Sequence, residues 1–244
     1  MSEKIIVYWC GRQEGIEDTD INEDMLYYEP KNLYKDLIKY KNPNLEDGSD
    51  GNMFLCPSFQ DKALKTYFLE NTLTSKVSVV DSVLNNTNET TVPFGYIRKN
   101  NFNNSLHLLF GLSWLFFASE PLEVSFTSPY FHKTAYMNYM QTVPGKFDIG
   151  QWFRPYQMEF VLWNTTQDII LEAGDPLVYA EFHTNKKIEF QRFRYTKEFT
   201  PFWGACTSAP LRYGRKKSLC ERYDRFIKGD MNKSILQLIN KNLI

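Results

Sequence analysis

Histidine is scarce in this chain, and the catalytic signatures built on it are missing. The three histidines are His107, His132 and His183, with no H-x-x-x-H pair, no H-E-x-x-H and no H-x-[DE]. Zincin and facial-triad iron motifs are therefore absent as local patterns. No G-x-S-x-G elbow, P-loop or G-x-G-x-x-G occurs either, which removes the motif-borne forms of acyl transfer, phosphate cradling and dinucleotide binding. The four cysteines, Cys10, Cys56, Cys206 and Cys220, stand far apart with no C-x-x-C pair, so zinc-ribbon and thioredoxin-like motifs are excluded. Four isolated thiols in a chain of 244 residues fit small buried side chains in a reducing cytosol, and all four are expected to be free.

Long hydrophobic runs are lacking as well. The longest, Leu108 to Ala118, is interrupted by Gly111 and Ser113 and is too short to span a bilayer. Met1-Ser2-Glu3-Lys4 leads straight into Ile5 to Trp9, a run too short for a signal h-region. These features predict a cytoplasmic protein, neither secreted nor membrane-bound. The five N-x-[ST] sequons, at Asn85, Asn88, Asn103, Asn164 and Asn232, are then chance products of an Asn-rich sequence. A formal net charge of −1 argues against a whole-surface nucleic-acid binder.

What the chain has in quantity is aromatic residues. Nineteen Phe and fifteen Tyr within a 43% hydrophobic composition are ample for a packed core, and such rings favour the half-buried pleated surface of a sheet. The plan is clearest from Gln151 to Tyr195. Runs rich in Phe, Tyr, Val and Ile are separated there by turn chemistry at Asn164-Thr165-Thr166, Gly174-Asp175-Pro176 and Thr184-Asn185. That pattern predicts consecutive antiparallel strands in a meander. Tyr156, Met158, Phe160 and Leu162 should share one face, with Gln157 and Glu159 on the other. Gly174 can take φ > 0 in the turn, Asp175 can bond its own backbone, and Pro176, without an N–H, should start the next strand.

Extended to the whole chain, the same reasoning predicts strands near 5–9, 76–80, 106–118, 122–126, 154–163, 168–172, 177–182 and 187–195. Leu106 to Ala118 and Leu122 to Phe126 read as a hairpin through the core, buried on both faces. Helices are predicted from Pro30 to about Tyr40 and from a Ser58 N-cap with Leu64, Tyr67 and Phe68 as its stripe. Two more run from Ser218 through Lys228 and from Met231 or Asn232 to Leu243. Glu14 to Asp24 reads as a solvated acidic loop without EF-hand spacing, Asn85 to Thr91 as a polar loop, and Pro201 to Pro210 as an irregular aromatic crossing. The expected architecture is one mainly β (α+β) domain over 1–244. Its core is an antiparallel, jelly-roll-like β-sandwich at about 76–195, with helical decorations at about 30–70 and 218–243.

Candidate chemistry is thin. In a jelly roll, His107, His132 and His183 could converge on a metal from separate strands; the alternative is that they are surface or hydrogen-bonded histidines. Cys56 or Cys206 beside a histidine would make a Cys-His pair. Asp168, Glu172, Asp175 and Glu181 flank the meander turns. Between Arg212 and Lys228 the cations Arg212, Arg215, Lys216, Lys217, Arg222, Arg225 and Lys228 are interleaved with Tyr213, Tyr223 and Phe226. Of these, Arg212, Arg215, Lys217, Arg222 and Arg225 are the candidate phosphate or nucleic-acid contacts, against the plainer reading of a solvated helix face containing Glu221 and Asp224. Arg154, Arg192 and Arg194 would bind phosphate or pair with Glu159 and Glu189 across strands.

The run Leu171-Glu172-Ala173-Gly174-Asp175-Pro176-Leu177-Val178-Tyr179-Ala180-Glu181-Phe182 resembles an "I-x-A-G-[DT]-P-L" strand-turn-strand of uncharacterised proteins from tailed phages, particularly marine relatives of the T-even group. Cys56-Pro57-Ser58-Phe59 is similar to that family's "CP-x-F" segment, and Leu106 to Ala118 to its apolar middle. The resemblance implies a phage-encoded protein in the host cytoplasm and no assigned activity. The same turn is loosely similar to that of dUTPase-type barrels, but the other motifs of that family are absent and no catalytic residue carries over. Together these features predict a non-enzymatic interaction protein, without a cofactor, that binds a protein partner or itself. The alternative is a jelly-roll enzyme or a small-ligand or nucleotide-binding protein with a metal or phosphate site.

Overall fold

A computed structural model describes residues 3–13, 27–40, 53–80, 83–86, 95–99, 105–164, 166–207 and 219–244. The chain opens with β1 (Lys4–Gln13), β2 (Lys31–Asn32) and α1 (Leu33–Leu37), then α2 (Pro57–Lys65) and β3 (Thr66–Glu70). Next come β4 (Ser75–Val80), β5 (Val83–Asn86), β6 (Gly95–Lys99), β7 (Leu106–Ala118), β8 (Glu123–Thr127), β9 (Met140–Thr142) and β10 (Gly145–Asp148). It continues through β11 (Pro155–Leu162), β12 (Ile169–Leu171), β13 (Pro176–Phe182) and β14 (Lys187–Arg192). Three helices follow, α3 (Thr200–Thr207), α4 (Leu219–Lys228) and α5 (Met231–Lys241). The protein is thus mixed α/β and rich in strands. Among the described residues, no helix is long and apolar enough to cross a membrane.

The strands form three sheets. The first has the order β14-β1-β7-β11-β9, with β6 also on β7; the second runs β10-β8-β13-β3-β2; the third is β12-β4-β5. Strand β7 organises the first sheet. Residues 112–118 pair with β1 and residues 106–110 with β6, while β11 runs along the other edge.

The side-chain alternation of β7 explains its apolar sequence. Leu108, Phe110, Trp114, Phe116 and Ala118 face a core shared with Leu69, Val124, Phe126, Val178, Ala180 and Phe182 of the second sheet. Leu115 and Phe117 face the other way, into a second core with Tyr8, Phe153, Phe199, Phe226, Ile235 and Ile239. Both faces are therefore covered, and each large side chain so buried stabilises the fold by about 1.5–3 kcal/mol. On β11 the burial alternates strictly, with Tyr156, Met158, Phe160 and Leu162 inward. A third, smaller core on the outer face of the second sheet joins Phe68 and Tyr179 to Leu33, Leu37, Phe54 and Ala63.

Strands lie where period-two patterning predicts them from Tyr156 onward, but they do not form a meander. β11 and β14 belong to the first sheet, β12 to the third and β13 to the second. The turns reverse the chain without joining neighbours, because each strand finds a better-buried partner far away in sequence. The proposed hairpin of β7 and β8 fails for the same reason: β8 pairs with β10 and β13, in the sheet opposite. The sheets are not purely antiparallel, since β1 runs parallel to β14 with Lys4 opposite Lys187 and Trp9 opposite Arg192. Strands also reach outside 76–195, β1 lying between β14 and β7 and β3 beside β13.

Local boundaries shift with their physical causes. Strand β1 continues past Cys10-Gly11 to Gln13 because β7 pairs with it from Val7 to Gln13. Helix α1 begins after Asn32, whose side chain accepts from the Lys35 N–H at 3.1 Å, and not at Pro30. Helix α2 starts with Pro57 at its first position, so Ser58 is not the cap. Tyr67 and Phe68 leave that helix for β3, and Leu64 is exposed. The expected crossing after Pro201 is helix α3 through Thr207. Asn85 and Asn86 lie in β5; the rest of the polar loop to Thr91, and the acidic stretch 14–24, fall outside the described residues.

The Gly174 turn is clasped by a residue the sequence did not single out. Gly174 has φ +90, and its N–H donates to the Asn71 carbonyl at 2.7 Å while the Asn71 N–H donates to the Asp175 carbonyl at 2.8 Å. The fully buried Asn71 also donates its amide to the carbonyls of Leu73 and Glu172. Asp175 Oδ2 accepts from the Glu172 N–H at 3.3 Å, and Pro176 is the first residue of β13.

Candidate functional site

Two histidine relays stand on opposite outer faces of the two large sheets. The first lies where β7 and β11 meet. His107 and Glu159 occupy odd positions on strands whose even positions fill the inter-sheet core, so both project outward. Val161 sits opposite His107, which places Glu159 diagonally across, and Glu159 Oε1 lies 2.6 Å from His107 Nδ1. On the other side of the ring, Nε2 lies 2.9 Å from Ser105 Oγ. A carboxylate only accepts, so Nδ1 carries the proton toward Glu159. In the neutral ring Nε2 is then the lone pair that accepts from the Ser105 hydroxyl. His107 is 7% exposed, and Ser105 is half-buried.

The second relay ties α1 to the second sheet. His132 Nδ1 meets the Tyr179 hydroxyl at 2.5 Å, and Nε2 meets Asp36 Oδ2 at 3.1 Å. Asp36 also accepts from Lys39 at 2.9 Å. Burial alone would raise the Asp36 carboxyl. The hydrogen bonds and charges of Lys39 and His132 outweigh it and hold the group below the usual carboxylate range. Tyr179 is buried, which pushes its phenol far up and keeps it a neutral donor. This is a part-buried latch that joins α1 to the second sheet, with Tyr179 its buried end.

His183 contacts neither relay; its Nε2 lies 2.7 Å from Ser125 Oγ. The three histidines thus have three separate sets of partners, and no group of three or more metal-ligating side chains exists among the described residues. Cys56 is exposed and Cys206 buried, both as free thiols, like Cys10; the side chain of Cys220 falls outside the described residues. The carboxylates near the turns are occupied structurally. Asp168 pairs with Lys76 at 2.6 Å and Glu181 with Lys62 at 2.8 Å, while Glu172 accepts from Thr74. Burial lifts the Asp175 carboxyl. Glu189 pairs with Lys4 and not with an arginine, and Arg192 lies over the Trp9 ring, 5.1 Å from its centroid.

Arg212, Arg215, Lys216 and Lys217 lie outside the described residues. Arg222 is half-buried on α4 and Arg225 exposed. Phe226 anchors the inner face of that helix in the second core, and the Tyr223 hydroxyl donates to Gln151 at 3.2 Å. The shallow groove beside Arg225 is lined by Glu221, Asp224, Lys228 and Gly229. Its acids offset its cations, which weakens any field for phosphate.

The most distinctive surface is apolar. Among the described residues, seven of the thirteen exposed large hydrophobics, namely Ile38, Tyr40, Met53, Leu55, Leu64, Tyr130 and Phe131, belong to the α1–α2 layer and the loop beside it. An unbroken ladder of ring contacts runs through it, from Tyr34 to Phe54, Phe59, Phe131, Tyr130 and Tyr179. No composition signal marked this face, because its members come from three separate segments. No family model matches the chain, no curated protein matches its sequence, and no solved structure matches its fold.

Proposed function

We propose that this is a β-sandwich interaction protein whose α1–α2 face binds a segment of a protein partner. The observation that carries this is the pair Tyr130 and Phe131, 47% and 40% exposed, yet held edge-on against Tyr179 and Phe59. Rigid exposed aromatics lose little entropy on binding and serve as anchors. The rim is basic. Lys35 and Lys133 are exposed and have no ion pair among the described residues, in contrast to Lys31, Lys39, Lys62 and Lys65. The complementary partner is an acidic segment with aromatic or aliphatic residues. The free thiols support a reducing cytoplasm, and the short-motif resemblance supports a phage-encoded protein working in its host. The alternative of a metal-bearing jelly roll has less behind it, since the histidines have separate partners.

The test is to pan a displayed library of random peptides on the folded protein. Enriched peptides should be acidic and apolar, and Tyr130→Ala with Phe131→Ala should weaken them at least tenfold without lowering the melting temperature. Equal binding by the double variant would overturn the assignment of this face. A concentration-dependent dimer in sedimentation, lost in the same variant, would make the partner a second copy of the chain.

A further inference from the structure

We propose that Ser105, His107 and Glu159 form a hydrolytic site for carboxylic esters, separate from the partner-binding face. The order of contacts is the one nucleophilic catalysis requires. Glu159 holds Nδ1–H at 2.6 Å, which leaves Nε2 as the base, and Nε2 lies 2.9 Å from the Ser105 oxygen. The ring is 7% exposed and the hydroxyl half-buried, so the base is shielded and the nucleophile is the member that reaches the surface. The strand ladder fixes the geometry: Ser105 and His107 share the outward face of one strand end, and the Val161–His107 pairing brings Glu159 within reach. Leu162 pairs with Leu106, so Trp163 and Ser105 are the residues that follow at that end of the ladder. Trp163 is 57% exposed and offers an apolar surface at the same end of the ladder as Ser105, which suits an ester with an apolar acyl group.

In the first step Ser105 Oγ bonds to the carbonyl carbon and its proton passes to Nε2. The carbon–oxygen bond to the alcohol breaks, and the alcohol leaves with that proton. Water then attacks the acyl-serine, giving one proton to Nε2. The carboxylic acid departs, and the proton returns to Ser105 Oγ. Nothing beyond ester and water is consumed. Glu159 never touches the substrate and is a positioning residue.

A fluorophosphonate probe, followed by peptide mass spectrometry, tests the proposal. The folded protein should carry the adduct on Ser105, and Ser105→Ala should lose it. Glu159→Gln keeps size and should slow labelling on the order of a hundredfold or more, with an unchanged melting temperature. With p-nitrophenyl butyrate the same variant should lower kcat and leave KM in place. Absence of an adduct on Ser105 in the folded protein, or labelling unchanged in Glu159→Gln, would overturn the proposal and leave the trio as a hydrogen-bonded staple between β7 and β11.

Discussion

Phe126 and Tyr156 stack face to face across the core between the two large sheets, with ring centroids 3.7 Å apart and planes 9° from parallel. The tyrosine brings a hydroxyl into that core, and the oxygen has no hydrogen-bond partner among the described residues. Burial pushes its phenol far up. An unsatisfied buried hydroxyl costs about 1–3 kcal/mol, so Tyr156→Phe should raise the melting temperature. Tyr156→Ala removes the stacked ring and should destabilise by about 3–5 kcal/mol. A lower melting temperature in the Phe variant would reveal a partner for the hydroxyl.

Two glycines should fail for different reasons. At Gly174 an added Cβ meets nothing within 4 Å, but φ is +90. Gly174→Val should therefore cost about 1–3 kcal/mol through backbone strain alone. At Gly150 the added Cβ would fall 2.1 Å from the Glu120 carbonyl oxygen, and Gly150→Ala should cost more because backbone must move. Urea midpoints rank the two, and equal stability of Gly174→Val and the parent would mean the turn relaxes freely.

Thiol reactivity should separate the cysteines. At pH 8 in the native protein Cys56 is exposed and should be alkylated quickly, whereas Cys10 and Cys206 should react only as the protein unfolds. Burial pushes the Cys206 thiol from 9.0 up to about 11. Below the lower value both states are protonated and the thiol has no pH effect. Between the two, the unfolded chain ionises first, so its contribution to stability falls as pH rises through that window. Denaturant midpoints from pH 8 to 11 should decline less steeply in Cys206→Ala.

The Asp36–His132 latch should open in acid. The Asp36 carboxyl is held below its ordinary range by Lys39 and His132. Its stabilisation is therefore present above the unfolded pKa and lost as pH falls through the folded one. Amide exchange in α1 should accelerate on acidification before that in β7 does, and Asp36→Asn should remove that difference. Uniform exchange across both elements would mean the latch does not secure α1.

The limits of the sequence are visible in particular residues. Tyr156, Met158, Phe160 and Leu162 announce a strand because alternation is a local property. Their partners, Trp114, Leu108 and Leu106 on β7 and Thr142 and Met140 on β9, are set by competition among all strands for burial, which no window contains. Tyr67 and Phe68 were indistinguishable from a helical stripe because β3 follows α2 without a break. Helix α3 carried one legible sign, Pro201 in its first turn, masked by Phe202, Trp203 and Gly204. The pairing of His107 with Glu159 was half legible. The alternation placed Glu159 on the outer face, but only the β7–β11 register brings the histidine to it.

The parallel seam between β1 and β14 has a consequence for how the chain folds during synthesis. Strand β1 ends up between two strands made much later than itself: β7 on one side and β14, with Lys187 opposite Lys4, on the other. Until residues 187–192 have emerged, both edges of that segment cannot be satisfied, and the closure entropy of a very long loop opposes its capture. The nascent Ile5-Ile6-Val7-Tyr8-Trp9 run therefore presents an unpaired strand edge until β14 has been made, and in that interval it is open to pairing with other chains.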